Sequence, residues 1–581
     1  MAYDRIIRNG TLVDGTGADR RIADVAIKDG RIAAIGALSP SDAAEVIDAD
    51  GLIVAPGFVD CHTHYDAQLF WDPLASPSSN HGVTTVIGGL CGFTLQPLGP
   101  GAADYLVPML SKVEDIPIAA LEAGVPLNWK SFADFRAGIE GRLGINVGFG
   151  TGHSALRRVV MGERAKGGHA TREELEQMKA LLRAALTEGA LGFSTSNSAT
   201  HNDHLGEPVP SRFADHDEFV ALAEVCRPFE GTMVEIQPGL DFDEETARLM
   251  SDMSVASQRT VNWNALFTIS MNADFERLLE RQLGMSDYAR ERGGRVIGLT
   301  VPIPGQAHVD MIRGCGAFDT IPGWEPFFQL SVADRVAALK DPACRARMKA
   351  DVAAAAAQGV RFPTTLEGTG QRQVLVESGA TPETRRLNGR SLKEIGQETG
   401  RGPLDVLFDL GVTDELRTLF TFTPVGEDEE TYRKRLALWR DERLCVGGSD
   451  AGAHVETIDT FNYFTRLLAR PVRELGVLSL EECVHYLTEA PAKLMGIKDR
   501  GVLKPGAWAD VCLFDAATVD SRPVETRHDF PGGAPRLFAE AVGIEKVIVG
   551  GVTVMDAGRP TGALPGQFLE RGRDTVTVGV A

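Results

Sequence analysis

The sequence has few cysteines, no surplus of basic charge and no long apolar run, and each absence excludes a class of protein. Eight cysteines in 581 residues, none of them in a Cys-x-x-Cys pair, do not make a disulfide framework. Fifty-nine Lys and Arg against 80 Asp and Glu give a net charge of −21, which disfavours nucleic-acid binding because phosphate contacts need a basic surface. The sequence has neither a signal-peptide pattern nor a run of about 18 apolar residues that could span a bilayer. We therefore expect a cytoplasmic protein with no nucleic-acid or membrane partner.

Short β elements occupy both ends of the chain. The first fifty residues alternate apolar and polar positions around Asn-Gly and Asp-Gly turns, and residues 509–515 and 546–555 repeat this pattern. Neither end has enough strands for a core of its own. We therefore expect residues 1–55 and 501–581 to build one small β-sandwich from the two termini.

The middle of the chain alternates short apolar runs with helical stretches. Eight runs are expected to be strands: residues 53–60, 84–88, 145–150, 191–195, 232–236, 261–267, 296–301 and 444–448. This alternation predicts an α/β fold, a (β/α)8 TIM-like barrel over residues 56–500, with an open doubly wound sheet as the alternative. The interval before the eighth run is too long for a simple connection, so an inserted helical subdomain is expected at about 305–400.

The motif with the strongest chemical signal follows the first of these runs and ends in Cys61-His62-Thr63-His64. Because a strand has a period of two, His62 and His64 project from the same face. Two imidazoles that converge at the C-terminal end of a barrel strand are a common way to hold a divalent metal. This motif predicts a metal site.

A second motif, from Ser449 to His454, follows the eighth run. Asp450 and His454 lie among small residues there, which leave room for a substrate. Asp and Ser also serve as helix caps, so the motif alone leaves both interpretations open. The histidine pair about 390 residues earlier favours the site, because barrel closure brings the first and last strands together.

Other candidates lie in loops after strands, and each has a structural alternative. Cys91 follows the second run, where a thiolate could bind metal, although most free cysteines are buried and inert. His153 and His201 lie in loops rich in Gly or Pro, where they are either ligands, substrate contacts or solvated side chains. Arg212 and Arg372 could hold a substrate carboxylate through paired hydrogen bonds, or lie on the surface.

Several motifs together resemble one known family. They are residues 56–64, Cys91-Gly92-Phe93, Gly152-His153, Gly192-Phe193-Ser194-Thr195, residues 449–454 and residues 501–510. With these motifs the chain resembles the amidohydrolase superfamily, in its D-aminoacylase / N-acyl-amino-acid deacylase branch. The resemblance covers nearly the whole chain, from about residue 5 to about residue 560.

The resemblance implies a metal-dependent hydrolase that cleaves the amide C–N bond of N-acyl amino acids or related linear amides through a metal-activated water. It implies zinc as the cofactor, with one or two ions and one favoured. The residues that match the metal site are His62, His64, Cys91 and Asp450. Asp450 also matches the catalytic carboxylate that takes the proton of the water. The candidate substrate-binding residues are His153, His201, Arg212 and His454.

The chain departs from this branch at the fifth and sixth strands. The branch carries a metal-binding histidine at the end of each, whereas residues 232–238 and 261–266 contain none. Either one metal is bound by His62, His64 and Asp450, with Cys91 or Glu235 added, or His201 substitutes for a missing ligand.

Two other functions stay open at this stage. A ring-opening hydrolase of the hydantoinase or dihydroorotase kind typically has a carboxylated lysine after the fourth strand, and residues 191–196 contain no lysine. A barrel that has lost its metal and serves as a binding module is the third possibility. Homo-oligomer formation, the acyl group and the preference for D or L substrates are also left open.

Overall fold

The computed structural model describes residues 2–239, 241–268, 273–312, 318, 321–357, 365–369 and 372–580. The chain divides into two compact units, one of residues 1–303, 426–455 and 460–581 and the other of residues 304–425 and 456–459. The insertion expected at about 305–400 lies in the second unit, which continues past that range to residue 425.

The first unit contains a series of parallel strands. Their bounds are Phe58–Asp60, Val83–Gly88, Asn146–Phe149, Thr151–Gly152, Gly192–Ser196, Met233–Gln237, Val261–Phe267, Val296–Val301 and Leu444–Val446. The first three form one parallel sheet and the last six another. A hydrogen bond from Leu191 N to Phe149 O joins the two sheets, and Thr63 pairs in parallel with Ala451. The predicted α/β fold built on parallel strands is confirmed.

Helices connect these strands, as the βα alternation predicts. The longer ones in the first unit are Ala103–Val113, Phe132–Ile139, His153–Met161, Arg172–Thr187, His216–Glu224, Glu244–Ser257, Ala273–Glu291, Glu429–Trp439 and Leu480–Leu487. The sequence sets where several of them begin. Thr171, for example, accepts a hydrogen bond from Glu174 N, and the Glu174 carboxylate accepts one from Thr171 N. Within the described ranges, no helix is both long and apolar enough to cross a membrane.

Strands from both ends of the chain pair in one seven-stranded sheet. Its order is Arg559–Pro560, Val552–Asp556, Ile544–Val549, Val511–Phe514, Ile53–Pro56, Thr11–Leu12 and Arg21–Ile22. A four-stranded sheet is formed by Arg31–Gly36, Asp24–Lys28, Tyr3–Arg8 and Ala43–Asp48. Buried apolar side chains from both ends, such as Ile27, Val54 and Val511, pack in one cluster.

The run predicted as a single strand over residues 53–60 is in fact two strands separated by Gly57. Ile53–Pro56 pairs with Val511–Phe514, whereas Phe58–Asp60 pairs with Val83–Gly88. A Cβ atom on Gly57 would lie 2.2 Å from the Thr84 side chain, so only glycine fits at the crossing. The chain therefore enters the parallel sheet directly from the terminal sheet.

In its described residues the second unit is mainly helical and has one antiparallel pair of strands. Its helices are Glu325–Phe328, Val332–Lys340, Pro342–Ala357, Leu392–Thr399 and Pro403–Thr413, and its strands are Val374–Ser378 and Leu419–Phe422. Its core is built around the buried side chains of Trp324, Leu339 and Phe408.

Candidate metal centre

Polar side chains gather where the parallel strands end. His62 and His64 follow the strand Phe58–Asp60, Cys91 follows Val83–Gly88, and Asp450 follows Leu444–Val446. Backbone hydrogen bonds fix the first and last of these segments side by side: Asp450 N donates to His62 O at 3.2 Å, and His64 N donates to Ala451 O at 2.8 Å. The structure therefore brings together the two motifs that are about 390 residues apart in the sequence.

The cluster centres on the Nε2 atom of His62. This atom lies 3.3 Å from Asp450 Oδ1 and 3.3 Å from Cys91 Sγ. The Nε2 atom of His64 lies 3.5 Å from the same Asp450 oxygen. One ligand atom from each of His62, His64 and Cys91 lies within 4.8 Å of the others. Three of the four predicted ligands thus form a compact donor set, and the fourth, Asp450, contacts both histidines.

Burial and neighbouring charge shift the pKa values of the two histidines in opposite directions. Burial lowers the pKa of His62 to about 3, against the smaller opposing effect of the Asp450 charge. Burial also lowers the pKa of His64, but the carboxylates of Glu114 and Asp450 outweigh it and raise that pKa to about 9. His62 is consequently a neutral imidazole at pH 7, which is the form that binds a metal.

Asp450 is held at the rim of this cluster. Its backbone adopts a left-handed conformation with φ of 56°, and its side chain is 25% exposed, so a substrate can reach the carboxylate. Although burial raises the pKa of Asp450, its contacts with His64 and His62 outweigh that effect and keep the pKa below its ordinary value. Two residues later, Gly452 has φ of 89°, and a Cβ atom there would lie 2.6 Å from the His64 carbonyl carbon. A glycine is required at that close approach.

Cys91 also has a left-handed backbone, with φ of 54°. Its N–H donates to Glu235 Oε2 at 2.8 Å, and this bond fixes the turn that directs the thiol toward His62. At the adjacent residue, Gly92, a Cβ atom would lie 2.9 Å from Thr195 Cα. Burial raises the pKa of the Cys91 thiol. The protein alone therefore keeps Cys91 protonated, whereas a bound metal favours the thiolate.

The donor set fits a divalent metal. Two imidazoles, a thiol and a carboxylate are the ligand types that zinc binds in proteins. Two polar atoms beside the cluster, Glu235 Oε1 and Asn264 Oδ1, are buried without a hydrogen-bond partner among the described residues. Buried polar atoms are normally satisfied, so these unmatched atoms are consistent with a site completed by a bound ion.

The fifth and sixth strands contribute Glu235 and Asn264 to the cluster. In the sequence these strands lack histidine, and of the two residues only Glu235 is expected there as an added ligand. Asn264 Nδ2 lies 3.3 Å from both His62 Nε2 and Asp450 Oδ1. Glu235 is fully buried, and burial raises the pKa of its carboxyl to about 8. Both strands therefore still contribute to the cluster, through an amide and a carboxyl group.

Glu114 is a further acidic residue of the site, and no sequence motif reveals it. It follows the helix Ala103–Val113, and its Oε1 atom lies 3.3 Å from His64 Nδ1. Burial raises the pKa of Glu114, against the opposing effect of His64. Its position becomes evident only when the helix is placed beside the first strand.

His153, predicted to bind substrate, has no ring atom left for that role. The side chain is fully buried, with Nδ1 2.8 Å from Thr195 Oγ1 and Nε2 2.8 Å from Glu218 Oε1. Arg157 Nη1 also donates to both carboxylate oxygens of Glu218, at 2.5 and 2.6 Å. The Gly-rich sequence around His153 suggested an open loop, but the residue begins a helix and belongs to a buried polar network.

The other three candidate substrate residues lie outside the donor set and make contacts of their own. The ring of His201 packs edge-on against Phe93 at 4.9 Å, and its Nδ1 lies 2.7 Å from Ser196 Oγ. Arg212 donates from Nη1 to His201 O at 3.0 Å, and among the described residues it forms no ion pair. His454 Nδ1 lies 3.6 Å from Asp115 Oδ2. All three side chains retain partial exposure.

The electrostatic environment of His201 connects it with the cluster. Its pKa is lowered to about 3, first by burial and then by the nearby charges of His454 and His64. Burial lowers the pKa of His454 as well, but its contacts with Asp115 and Glu114 outweigh burial and raise it. His201 therefore lies within electrostatic range of His454 and of His64 in the cluster.

Comparison with known proteins identifies the family of the chain. A model of the amidohydrolase family matches residues 45–555. A D-aminoacylase from Alcaligenes xylosoxydans xylosoxydans is 27% identical over 98% of this chain and 98% of its own length. A solved D-aminoacylase, described with a binuclear metal center, superposes with a TM-score of 0.62 at 26% identity, covering 98% of this chain and all of that one. An N-acyl-D-glutamate deacylase from Bordetella bronchiseptica, solved with zinc and a phosphonate inhibitor, superposes with a TM-score of 0.61 at 26% identity. The match covers 98% of this chain and all of that one. The chain therefore belongs to the amidohydrolase family.

Proposed function

We propose that this protein is a metal-dependent hydrolase that cleaves the amide C–N bond of an N-acyl amino acid or a related linear amide with water. The observation that carries the proposal is the convergence of His62, His64 and Cys91 within 4.8 Å, with the Asp450 carboxylate at 3.3 and 3.5 Å from the two histidines. Relatives that span the chain are named as D-aminoacylases and N-acyl-D-amino acid deacylases, which supports this reaction class.

The residues that would hold the metal are His62, His64, Cys91 and Asp450, and we propose zinc as the ion. A single ion is favoured, because the fifth and sixth strands offer Glu235 and Asn264 in place of two histidines. When bound, zinc polarises an acyl carbonyl and lowers the pKa of water toward about 7.

Asp450 is the proposed catalytic base. Its partly exposed carboxylate lies at the edge of the donor set, where it can accept the proton of the attacking water at Oδ2 while Oδ1 faces the histidines. The same carboxyl group then delivers the proton to the leaving nitrogen. A positioned acid–base group of this kind raises the rate by a factor of about 10²–10⁴.

Arg212 is the proposed partner of the substrate carboxylate, and His201 and His454 are the other proposed substrate contacts. Nη1 of Arg212 is used by His201 O and Asn202 Oδ1, and this anchors the guanidinium beside the loop that carries His201. The other nitrogens of the guanidinium are available for a paired contact with a carboxylate. N-acyl amino acids carry such a group, whereas simple amides do not.

The proposal is tested by release of free amine from a panel of N-acyl-D- and N-acyl-L-amino acids, with a hydantoin as the cyclic control. We expect turnover of at least one linear substrate that is lost on metal removal and restored by zinc. His62→Ala should bind less than a tenth of the wild-type metal and lose activity with it. Turnover of the hydantoin alone, or full linear activity after metal removal, would contradict the proposal.

A cytoplasmic location remains a proposal as well. It is supported by the seven cysteines of the described residues, all of which are free thiols, the state that a reducing compartment preserves.

A further inference from the structure

The buried carboxylate of Glu114 lies beside one edge of the His64 ring, the edge that is turned away from the other ligands. The two side chains are only 3% and 4% exposed, and Glu114 Oε1 lies 3.3 Å from His64 Nδ1. On the opposite edge of the ring, His64 Nε2 faces Asp450 Oδ1 at 3.5 Å. The two nitrogens of one imidazole thus face a carboxylate each, and only Nε2 is turned toward the donor set.

This arrangement matters because an imidazole can ligate a metal only through its unprotonated nitrogen. A metal-ligating histidine almost always donates its other N–H to a carboxylate, carbonyl or water, which fixes the tautomer and the direction of the ring. Among the described residues, His64 Nδ1 forms no hydrogen bond, but Glu114 Oε1 lies 3.3 Å from it and is placed to accept one.

We propose that Glu114 is a positioning residue, which keeps the proton of His64 on Nδ1 and leaves Nε2 to bind the metal. This inference rests on the proposed function, because it assumes that His64 is a ligand. The inference adds that the affinity for the metal depends on Glu114, which lies outside the donor set and follows the helix Ala103–Val113.

The adjacent residue supplies a matched control. Asp115 Oδ2 lies 3.6 Å from His454 Nδ1, and Glu114 O accepts a hydrogen bond from His454 N at 2.5 Å. Two consecutive carboxylates therefore serve two different histidines: Glu114 faces the proposed ligand, and Asp115 faces the proposed substrate contact. Substitution of either one removes a charge from the same helix end, but Glu114 lies beside His64 whereas Asp115 lies beside His454.

The decisive experiment measures the zinc dissociation constant of the full-length chain by competition with a chromogenic chelator. We expect Glu114→Gln to weaken zinc binding by about 10- to 100-fold, the range typical of such supporting residues. Asp115→Asn should remain within about twofold of the wild type. Wild-type affinity in Glu114→Gln, or equal weakening in both variants, would overturn the proposal.

A measurement on the wild type covers the case in which Glu114→Gln does not fold. In the zinc-loaded protein labelled with ¹⁵N-histidine, and with His64 assigned by comparison with His64→Gln, the proton of His64 should lie on Nδ1. A proton on Nε2 would overturn the inference. If the wild type binds no zinc at all, the proposed function fails. If it binds zinc and Glu114→Gln binds equally well, only the role of Glu114 fails.

Discussion

Asp60 and Ser449 are 389 positions apart in the sequence and are joined by two hydrogen bonds. Ser449 N donates to Asp60 Oδ1 at 3.3 Å, and the Ser449 hydroxyl donates to Asp60 Oδ2. Asp60 ends the first parallel strand just before His62, and Ser449 directly precedes Asp450. This contact therefore sets the distance between the pair His62 and His64 and the Asp450 carboxylate, which together complete the site.

Ser449→Ala should weaken both the fold and the site. The substitution removes a donor to a fully buried carboxylate and also an acceptor for Ala451 N, which lies 2.9 Å from the hydroxyl. An unsatisfied buried group costs about 1–3 kcal/mol, so the free energy of unfolding should fall by that amount, with a lower kcat. Denaturant unfolding and steady-state kinetics measure both. The control is Ser41→Ala, which changes an exposed serine whose hydroxyl hydrogen-bonds with Ser39, and equal stability of the two variants would contradict the role of Ser449.

Asp450→Asn should separate chemistry from metal binding. The amide keeps an oxygen near the two histidines but cannot accept a proton at neutral pH. We expect most of the zinc to stay bound while kcat falls by about 10²–10⁴. Metal content by mass spectrometry and kcat are measured on the same preparation. A rate near that of the wild type would remove Asp450 from the role of base.

Arg212→Met should affect substrates according to their charge. Loss of a charge-assisted contact costs about 1.5–3 kcal/mol, so KM for an N-acyl amino acid should rise by about 10- to 100-fold. KM for an uncharged N-acyl amine of similar size should change little. Arg164→Met, which removes an exposed arginine paired with Glu174, is the matched control. Equal effects on both substrates would show that Arg212 does not recognise the carboxylate.

Glu218 should stabilise the protein above pH 4.5 and lose that effect on acidification. Burial alone raises the pKa of Glu218, but His153 and Arg157 outweigh it and lower the pKa from 4.5 to about 2. Because the folded-state pKa lies below the unfolded one, the stabilisation is complete above pH 4.5 and disappears as the pH falls through about 2. The shift corresponds to about 3 kcal/mol. The difference in unfolding free energy between wild type and Glu218→Gln should therefore shrink between pH 5 and pH 2, and a constant difference would contradict this.

The parallel strands could be predicted because their signal is local. Each of the eight apolar runs coincides with an observed strand. The donor set gathers just after the ends of three of these runs. Gly57 is the exception, because the division of the first run depends on the contact with Thr84, which no pattern within the run encodes. The meeting of His62 with Asp450 follows from the general rule that sites of parallel barrels lie at the C-terminal ends of strands.

The remaining errors concern contacts between distant segments. Glu114 follows a helix and carries no motif, so its approach to His64 could not be read from the sequence. His153 was placed in an open loop because its neighbours are small, but Glu218, 65 positions later, contacts its ring inside the protein. Asn264 lies in a strand that was described only as lacking histidine, although its amide contacts His62 and Asp450. Side-chain partners of this kind depend on packing, which spacing does not specify.

X-ray absorption at the zinc edge tests the central claim most directly, because it identifies the atoms around the ion. For the zinc-loaded wild type we predict one sulfur at about 2.3 Å together with nitrogen or oxygen ligands at about 2.0–2.2 Å. In Cys91→Ser the sulfur should disappear while the nitrogen and oxygen ligands remain. A wild-type spectrum without sulfur, or a sulfur signal that persists in Cys91→Ser, would contradict a metal centre built on His62, His64, Cys91 and Asp450.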